Sequence, residues 1–214
     1  MANTVNLKID GIDVSVEEGK TVLDAAKKLN IHIPTLCHHE DLCVAGNCRV
    51  CVVEQEGVKN LVASCAMPAQ DGMVIHTNTH KVRNAKRHVV ELLLSEHNAD
   101  CTKCYKNTKC ELQSLSNELV MGENMFLDLV PEKDYTVDKQ SPSIIKDDSK
   151  CIRCQRCVRT CTELQHVSAL GVAYKGDHMK ISTFYENSMY DVVCTNCGQC
   201  VNRCPTGALI EKNY

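Results

Sequence analysis

The sequence predicts an α+β fold made of several small domains rather than one large core. The chain has 214 residues but no Trp, two Phe and six Tyr, which is a poor supply of large apolar side chains. Its sixteen cysteines fall into four blocks, and the last two blocks repeat the same spacing. The C-terminal part is therefore expected to be pseudo-symmetric, and bound metal is expected to supply much of the cohesion.

The first 78 residues are predicted to form a small β-grasp domain. Residues 4–16 alternate apolar and polar side chains around Asp10-Gly11, which is typical of a hairpin with a tight turn. Thr21 to Asp24 has the pattern of a capping box, and apolar residues on one face predict a helix to about Asn30. Further strands are expected over 49–54 and 73–76.

A small helical domain is predicted over residues 79–120. Apolar side chains recur at helical spacing through 79–97, and a second short helix is expected from Cys110 to about Val120. Residues 121–142 contain Gly122, Pro131 and Pro142 among charges, which predicts a linker. The last segment, 143–214, is predicted to be a ferredoxin-like domain with hairpin strands at 169–174 and 179–183.

The third and fourth cysteine blocks have the spacing of a pair of [4Fe–4S] sites. Each has three cysteines at i, i+3 and i+6 and a fourth three residues later, and in this pattern the fourth cysteine ligates the other cluster. We expect that fourth cysteine to start a helix, with Pro205 in its first turn. Two zinc ribbons are the alternative, but zinc favours two separated Cys-x2-Cys pairs. The predicted ligand sets are Cys151, Cys154, Cys157 and Cys204 for one cluster, and Cys194, Cys197, Cys200 and Cys161 for the other.

The first block predicts a [2Fe–2S] site. Cys48, Cys51 and Cys65 supply three thiolates, and the spacing leaves the fourth open between Cys37 and Cys43. Cys43-x4-Cys48-x2-Cys51 has the plant-ferredoxin spacing, so the residues alone do not decide.

The second block, Cys101, Cys104 and Cys110, lacks one thiolate for a [4Fe–4S] cluster. His97 lies one turn upstream and is predicted to be the fourth ligand through a neutral imidazole nitrogen. The expected cofactors are one [2Fe–2S] and three [4Fe–4S] clusters, which use fifteen of the sixteen cysteines. Seven of the other eight histidines are noted as having no such setting and are expected in the core or on the surface: His38, His39, His76, His80, His88, His166 and His178.

Several classes of protein are disfavoured by composition. The N-terminus has no signal-peptide pattern and no apolar run is long enough to span a membrane, so a cytoplasmic, reducing compartment is predicted. The net charge is −3 without a basic stripe, which disfavours nucleic acid. No G-x-G-x-x-G or P-loop is present, so neither flavin nor nicotinamide is expected on this chain.

The order of the sites resembles the N-terminal electron-transfer region of iron-only hydrogenases and the large, G-type iron–sulfur subunit of NADH:quinone oxidoreductase and bifurcating complexes. The resemblance rests on residues 33–42, 46–51 and 151–159 and on His97 with its three cysteines. It implies that Cys37 is the first [2Fe–2S] ligand, that Cys43 is spare, and that His97 is a ligand. It also implies a flavoprotein partner with an NAD(P)H site and a small [2Fe–2S] subunit. Ferredoxin, a hydrogenase or a formate dehydrogenase is the implied terminal acceptor.

The function predicted on this basis is a non-catalytic electron-transfer subunit, with no substrate site of its own, in a flavin-based bifurcating complex of an anaerobe. A free, diffusible polyferredoxin is the alternative, although it would be expected to be strongly acidic. A redox sensor and an active truncated hydrogenase are less well supported, because four clusters exceed a sensor's needs and no thiols remain for a hydrogen-activating site. Four arginines beside the ligands either raise cluster potentials or are solvated surface residues: Arg49, Arg153, Arg156 and Arg159.

Overall fold

A computed structural model describes residues 3–119, 122, 124–129, 133 and 135–212. This part of the chain divides into two compact units. The first consists of the described part of Met1–His38 together with Val44–Val90, and the second of His39–Cys43 together with the described part of Glu91–Tyr214. The three-domain division with boundaries at 78, 120 and 142 stays a prediction.

The first unit is built on the predicted N-terminal hairpin, which is confirmed. Strands β1 (Thr4–Ile9) and β2 (Ile12–Glu17) pair antiparallel, with Ile9 opposite Ile12. The two turn residues, Asp10 and Gly11, have φ values of 48° and 84°. Left-handed conformations at both positions are what a two-residue turn needs to match the twist of its strands.

A mixed five-stranded sheet organises this unit. Its further strands are β3 (Val52–Gln55), β4 (Val62–Ala63) and β5 (Val74–His76), and the order is β2-β1-β5-β3-β4. Strand β5 runs parallel to β1, whereas the other pairs are antiparallel. One helix, α1 (Val22–Lys28), contributes buried residues to the same core as the sheet. This arrangement is consistent with the predicted β-grasp.

Helix α1 begins at the predicted capping box, which is confirmed. The Thr21 hydroxyl accepts from the Asp24 amide at 3.2 Å, and the Asp24 carboxylate accepts from the Thr21 amide at 2.9 Å. The strand predicted over 49–54 begins only at Val52. The preceding residues form a loop in which Arg49 has a φ of 59°, a value incompatible with a strand.

Helix α2 (His80–Ser95) corresponds to the helix predicted over 79–97. Its burial differs from the expected pattern at two positions. Leu92, one of the apolar residues whose spacing predicts this helix, is half exposed, whereas Lys86 is buried. Burial of Lys86 is tolerated because its amine donates to the Thr77 carbonyl at 3.2 Å.

The second unit contains two small sheets. Strands β6 (Val137–Asp138), β7 (Ile144–Asp147) and β10 (Leu209–Glu211) form one antiparallel sheet in the order β10-β7-β6. Strands β8 (Gly171–Ala173) and β9 (Lys180–Ser182) form the predicted hairpin, which is confirmed. Strand β6 lies inside the segment predicted as a linker. Of that segment, residues 121, 123, 130–132 and 134 lie outside the described residues.

Short helices connect these strands. Helix α3 (Glu111–Glu118) matches the helix predicted after Cys110, although its expected end at Val120 lies outside the described residues. Helices α4 (Arg156–Arg159) and α5 (Gln199–Asn202) follow the two repeated cysteine loops, and a π-helical turn (Thr160–Leu164) continues α4. Single 3-10 turns lie at Cys101–Lys103, Leu127–Leu129, Asp148–Lys150, Gly176–His178 and Phe184–Glu186. Within the described residues, no helix combines the length and the apolar character needed to cross a bilayer.

Candidate iron–sulfur centres

Four thiols of the first unit form one group. Cys37, Cys51 and Cys65 are each about 1% exposed, and the Sγ atoms of Cys51 and Cys65 are 3.3 Å apart. Hydrogen bonds from the thiols of Cys48 and then Cys65 lower the pKa of Cys37. The same bonds to Cys37 raise the pKa of Cys48 and Cys65. The sulfur atoms of Cys37, Cys48, Cys51 and Cys65 are thus close enough to compete for protons.

The loop before Cys51 directs peptide N–H groups at these sulfur atoms. The amides of Asn47 and Cys48 bond to the sulfur of Cys37, and that of Val50 bonds to the sulfur of Cys48. Left-handed φ values at Gly46 (61°) and Arg49 (59°) turn the chain inward. Such concave runs of N–H groups stabilise anions, including thiolate ligands of iron–sulfur clusters.

Cys43 lies elsewhere, in the second unit and exposed to solvent. Its thiol donates to Glu163 Oε1 at 2.6 Å, and its amide donates to Glu163 Oε2 at 2.9 Å. The hydrogen bond to Glu163 is the main reason that the pKa of Cys43 is raised, which favours the protonated thiol. Because a ligand must be a thiolate, this geometry favours Cys37 over Cys43 as the fourth [2Fe–2S] ligand.

His97, which precedes the second cysteine block, has the properties of a metal ligand. The Nδ1 atom of His97 is buried and has no hydrogen-bond partner within the described part of the chain. Burial, followed by the positive charge of Lys150, lowers the pKa of His97. Both effects favour a neutral imidazole, which is the form that binds metal. An unpaired buried nitrogen of this kind fits a missing metal bond.

The three thiols that follow His97 lie close enough for the charges of two of them to affect the third. Burial is the main cause of the raised pKa of Cys110, and the charges of Cys104 and Cys101 add to it. Cys110 is the N-cap residue of α3, and the amides of Gln113 and Leu112 bond to its sulfur. The positive end of a helix therefore faces this sulfur, which favours a thiolate.

The two C-terminal cysteine loops have the same backbone conformation. The residue before the second cysteine is left-handed in both, Arg153 at 55° and Asn196 at 54°. The residue after the second cysteine is also left-handed, Gln155 at 62° and Gly198 at 71°. The predicted internal repeat is therefore present in the backbone, and Gln155 adopts its glycine-like conformation at a cost of about 1–2 kcal/mol. In the first loop the Arg153 amide donates to Cys151 Sγ at 3.4 Å.

The eight cysteines of these loops surround two separate cavities in crossed sets. One cavity is lined by Cys151, Cys154, Cys157 and Cys204, the other by Cys194, Cys197, Cys200 and Cys161. No three His, Cys, Asp or Glu side chains among the described residues converge tightly enough for one ion. A cluster differs from a single ion in this respect, because each of its four ligands binds a different iron.

Burial dominates the acid–base behaviour of these thiols. It raises the pKa of Cys151 and of Cys154 to about 12, and the negative charge of Cys204 adds to both. Cys157, Cys200 and Cys204 pack with Ile144 and other apolar side chains in one hydrophobic core. Thiolates in such a core require a bound cation, because unpaired buried charge is strongly disfavoured. The residues therefore fit iron–sulfur clusters.

The expected helix starts at the fourth cysteines are wrong. Helices α4 and α5 begin one residue before the third cysteine of each loop, directly after the left-handed turn at Gln155 or Gly198. Cys204 follows the end of α5, and Pro205 is not helical. The Pro205 carbonyl instead accepts from the Glu111 amide at 2.9 Å. It thereby satisfies a free N–H group at the start of α3.

The arginines beside the ligands are not equivalent. Arg49 is exposed, as expected for a solvated surface residue. Arg156 and Arg159 are only 4% and 8% exposed, so that interpretation is wrong for these two. Arg156 pairs with Glu111, and Arg159 donates to the carbonyl of Cys43.

Sequence reasoning missed three carboxylates around the sites. Glu111 pairs with Arg156, Glu96 pairs with Arg153, and Glu163 holds Cys43. Glu96 directly precedes the predicted ligand His97, and Glu111 directly follows the predicted ligand Cys110. That adjacency is a signal that could have identified them, whereas nothing local marks Glu163 as a partner of a residue 120 positions away.

Comparison with known proteins places three family profiles along the chain. Residues 2–80 match a 2Fe-2S iron-sulfur cluster binding domain. Residues 86–124 match the NADH-ubiquinone oxidoreductase-G iron-sulfur binding region. Residues 141–210 match the ferredoxin-like domain of NADH-quinone oxidoreductase subunit 3. The chain therefore carries [2Fe–2S]- and [4Fe–4S]-binding domains.

Individual relatives agree with these profiles. The NADP-reducing hydrogenase subunit HndD of Solidesulfovibrio fructosivorans is 47% identical over 98% of this chain and 36% of its own length. The G-type subunit of NADH-quinone oxidoreductase from Rickettsia bellii is 37% identical over 98% of this chain and 30% of its own. A chain of the NAD+-reducing [NiFe]-hydrogenase in the H2-reduced state superposes with a TM-score of 0.85 at 29% identity, covering 98% of this chain and 88% of that one. The chain thus spans about a third of the two curated relatives. Over 98% of its length the chain is therefore similar to part of the G-type subunit of NADH-quinone oxidoreductase and to part of the hydrogenase subunit HndD.

Proposed function

We propose that this chain relays single electrons through one [2Fe–2S] and three [4Fe–4S] clusters as a non-catalytic subunit of a multi-subunit, NAD(P)-linked oxidoreductase. The observation that carries the proposal is the crossed arrangement of the two cysteine repeats around two buried cavities. Clusters whose iron atoms are all ligated by cysteines are suited to passing electrons and leave no open coordination position for a substrate.

Each proposed ligand set is one of the groups of cysteines described above, and one of these groups is completed by His97. Fifteen of the sixteen cysteines are used, and Cys43 is the one left out. The His97 ligand replaces a thiolate and so removes one negative charge, which should raise the potential of its cluster. The sets are Cys37, Cys48, Cys51 and Cys65 for the [2Fe–2S] cluster; His97, Cys101, Cys104 and Cys110; Cys151, Cys154, Cys157 and Cys204; and Cys194, Cys197, Cys200 and Cys161.

The names of the relatives support NAD(P)-linked partners. The Solidesulfovibrio fructosivorans relative is described as an NADP-reducing hydrogenase, the structural relative as NAD+-reducing, and the Rickettsia bellii relative as an NADH-quinone oxidoreductase. We therefore propose a flavoprotein partner with an NAD(P)H site, a small [2Fe–2S] subunit, and ferredoxin, a hydrogenase or a formate dehydrogenase as terminal partner. Flavin-based electron bifurcation in an anaerobe is the setting that fits this set of partners best.

The test is an affinity purification from the native host under strict anoxia, with iron and flavin measured in the same fraction. We expect about fourteen irons per chain, two plus three times four, and a co-eluting flavoprotein. A Cys197→Ser variant purified in parallel should lose one [4Fe–4S] signal and keep the flavoprotein. Full iron content without any flavoprotein would instead indicate a diffusible carrier. Zinc in place of iron would overturn the cluster assignment itself.

A further inference from the structure

We infer that Arg156 raises the reduction potential of the cluster held by Cys151, Cys154, Cys157 and Cys204, through a buried positive charge that Glu111 only partly neutralises. The inference rests on the ligand set proposed above. It assigns a specific role to one of the four arginines that the cysteine spacing places near a cluster.

Arg156 is held inside the protein at the cluster loop. It lies between Cys154 and Cys157 as the first residue of α4, and its side chain is 5% exposed. One guanidinium nitrogen donates to Glu111 Oε1 at 2.6 Å. The Nε atom is buried and has no hydrogen-bond partner among the residues that the structure describes. A guanidinium is always charged, so the loop holds a fixed cation.

The two members of this ion pair differ in their contact with water. The Glu111 side chain is 45% exposed, against 5% for Arg156. Solvent screens an exposed carboxylate much more than it screens a buried guanidinium. The field inside the protein near the pair is therefore net positive.

This field reaches the ligands. Arg156 lies two residues after Cys154 and directly before Cys157, so its buried charge is held close to two of the proposed ligands. The Arg156 amide also bonds to the Cys154 sulfur. A cation that stabilises the Cys154 thiolate also stabilises the additional electron of a reduced cluster, and so makes the potential more positive.

Glu111 gives the inference a second, opposite test. Removal of its negative charge leaves the field of Arg156 uncompensated, so the potential should become more positive. The effect should be smaller than that of removing Arg156, because solvent already screens the Glu111 carboxylate.

The experiment is an EPR-monitored redox titration of the full, cluster-loaded chain, with iron counted in every sample. Cys154→Ser identifies the signal of the cluster concerned. We expect Arg156→Gln to shift its midpoint to more negative potential, Arg156→Lys to retain most of the wild-type value, and Glu111→Gln to shift it to more positive potential. Lys175→Gln, which removes an exposed cation of the same unit, should leave it unchanged.

Three outcomes would overturn the inference. The first is an Arg156→Gln variant with full iron and a midpoint equal to that of Lys175→Gln. The second is an Arg156→Lys shift as large as that of Arg156→Gln, which would indicate packing rather than charge. The third is a Glu111→Gln shift in the same direction as Arg156→Gln. Failure of the underlying cluster assignment is distinguishable, because the wild-type chain would then have no [4Fe–4S] signal that Cys154→Ser removes.

Discussion

Gly207 is predicted to be required for the cluster at His97. It belongs to the loop that follows Cys204, and its backbone does not lie in the left-handed region, so an alanine would cause no conformational strain there. A Cβ atom at this position would, however, lie 2.6 Å from Cys104 Sγ and 3.4 Å from Lys150 Cδ. Among the described residues, Cys104 is therefore the one serious obstacle to a side chain.

The size of the effect follows from these distances. Ordinary contacts of a Cβ atom begin at 3.4 Å, so the sulfur of Cys104 would have to move by about 0.8 Å (3.4 minus 2.6). A lysine chain can make way, but the sulfur of Cys104, a proposed ligand, cannot move this far and keep a bond to iron. Overpacking of this kind costs about 1–3 kcal/mol. That corresponds to about a 5- to 140-fold weaker retention of the cluster.

The assay compares Gly207→Ala with wild type after anoxic reconstitution, by iron count and EPR. We expect Gly207→Ala to lose about four of about fourteen irons, together with the signal that His97→Ala also removes. Gly171→Ala is the matched control, because a Cβ there has no atom of the described residues within 4 Å and its φ is ordinary. Full iron and an unchanged signal in Gly207→Ala, or an equal loss in Gly171→Ala, would refute the reasoning.

Three further predictions concern the ligands, the metal and the first helix. Cys37→Ser should abolish the [2Fe–2S] EPR signal and Cys43→Ser should keep it, because the sulfur of Cys37 lies with the other proposed ligands whereas the thiol of Cys43 donates to Glu163; the reverse result would make Cys43 the ligand. Chelation of all iron should unfold most of the second unit, because cysteine side chains form part of its hydrophobic core, and near-native circular dichroism after chelation would contradict this. Thr21→Ala should lower the free energy of unfolding by about 1 kcal/mol at pH 7, measured by urea unfolding of the loaded chain, because it removes the N-cap of α1. A loss below about 0.3 kcal/mol would show that tertiary packing alone holds this helix.

Much of the local structure could be predicted from the sequence, because its causes are local. The hairpin turn at Asp10-Gly11 and the cap at Thr21 depend on residues no more than three positions from their partners. The repeat of the two C-terminal loops is equally local, since the same cysteine spacing imposes the same left-handed turns. The starts of α4 and α5 were misplaced at the fourth cysteines because each helix instead begins directly after a left-handed residue, Gln155 or Gly198, that follows the second cysteine.

What the sequence by itself determined was the inventory of sites: four cysteine blocks, one histidine beside an incomplete block, and one cysteine in excess. The tertiary structure decided which residues meet. Cys43 lies against Glu163, and Arg156 is buried against Glu111, 45 positions away. The Pro205 carbonyl caps α3, 94 positions before it (205 minus 111). Such contacts depend on how distant segments pack, and that packing cannot be predicted from the spacing or the type of the individual residues.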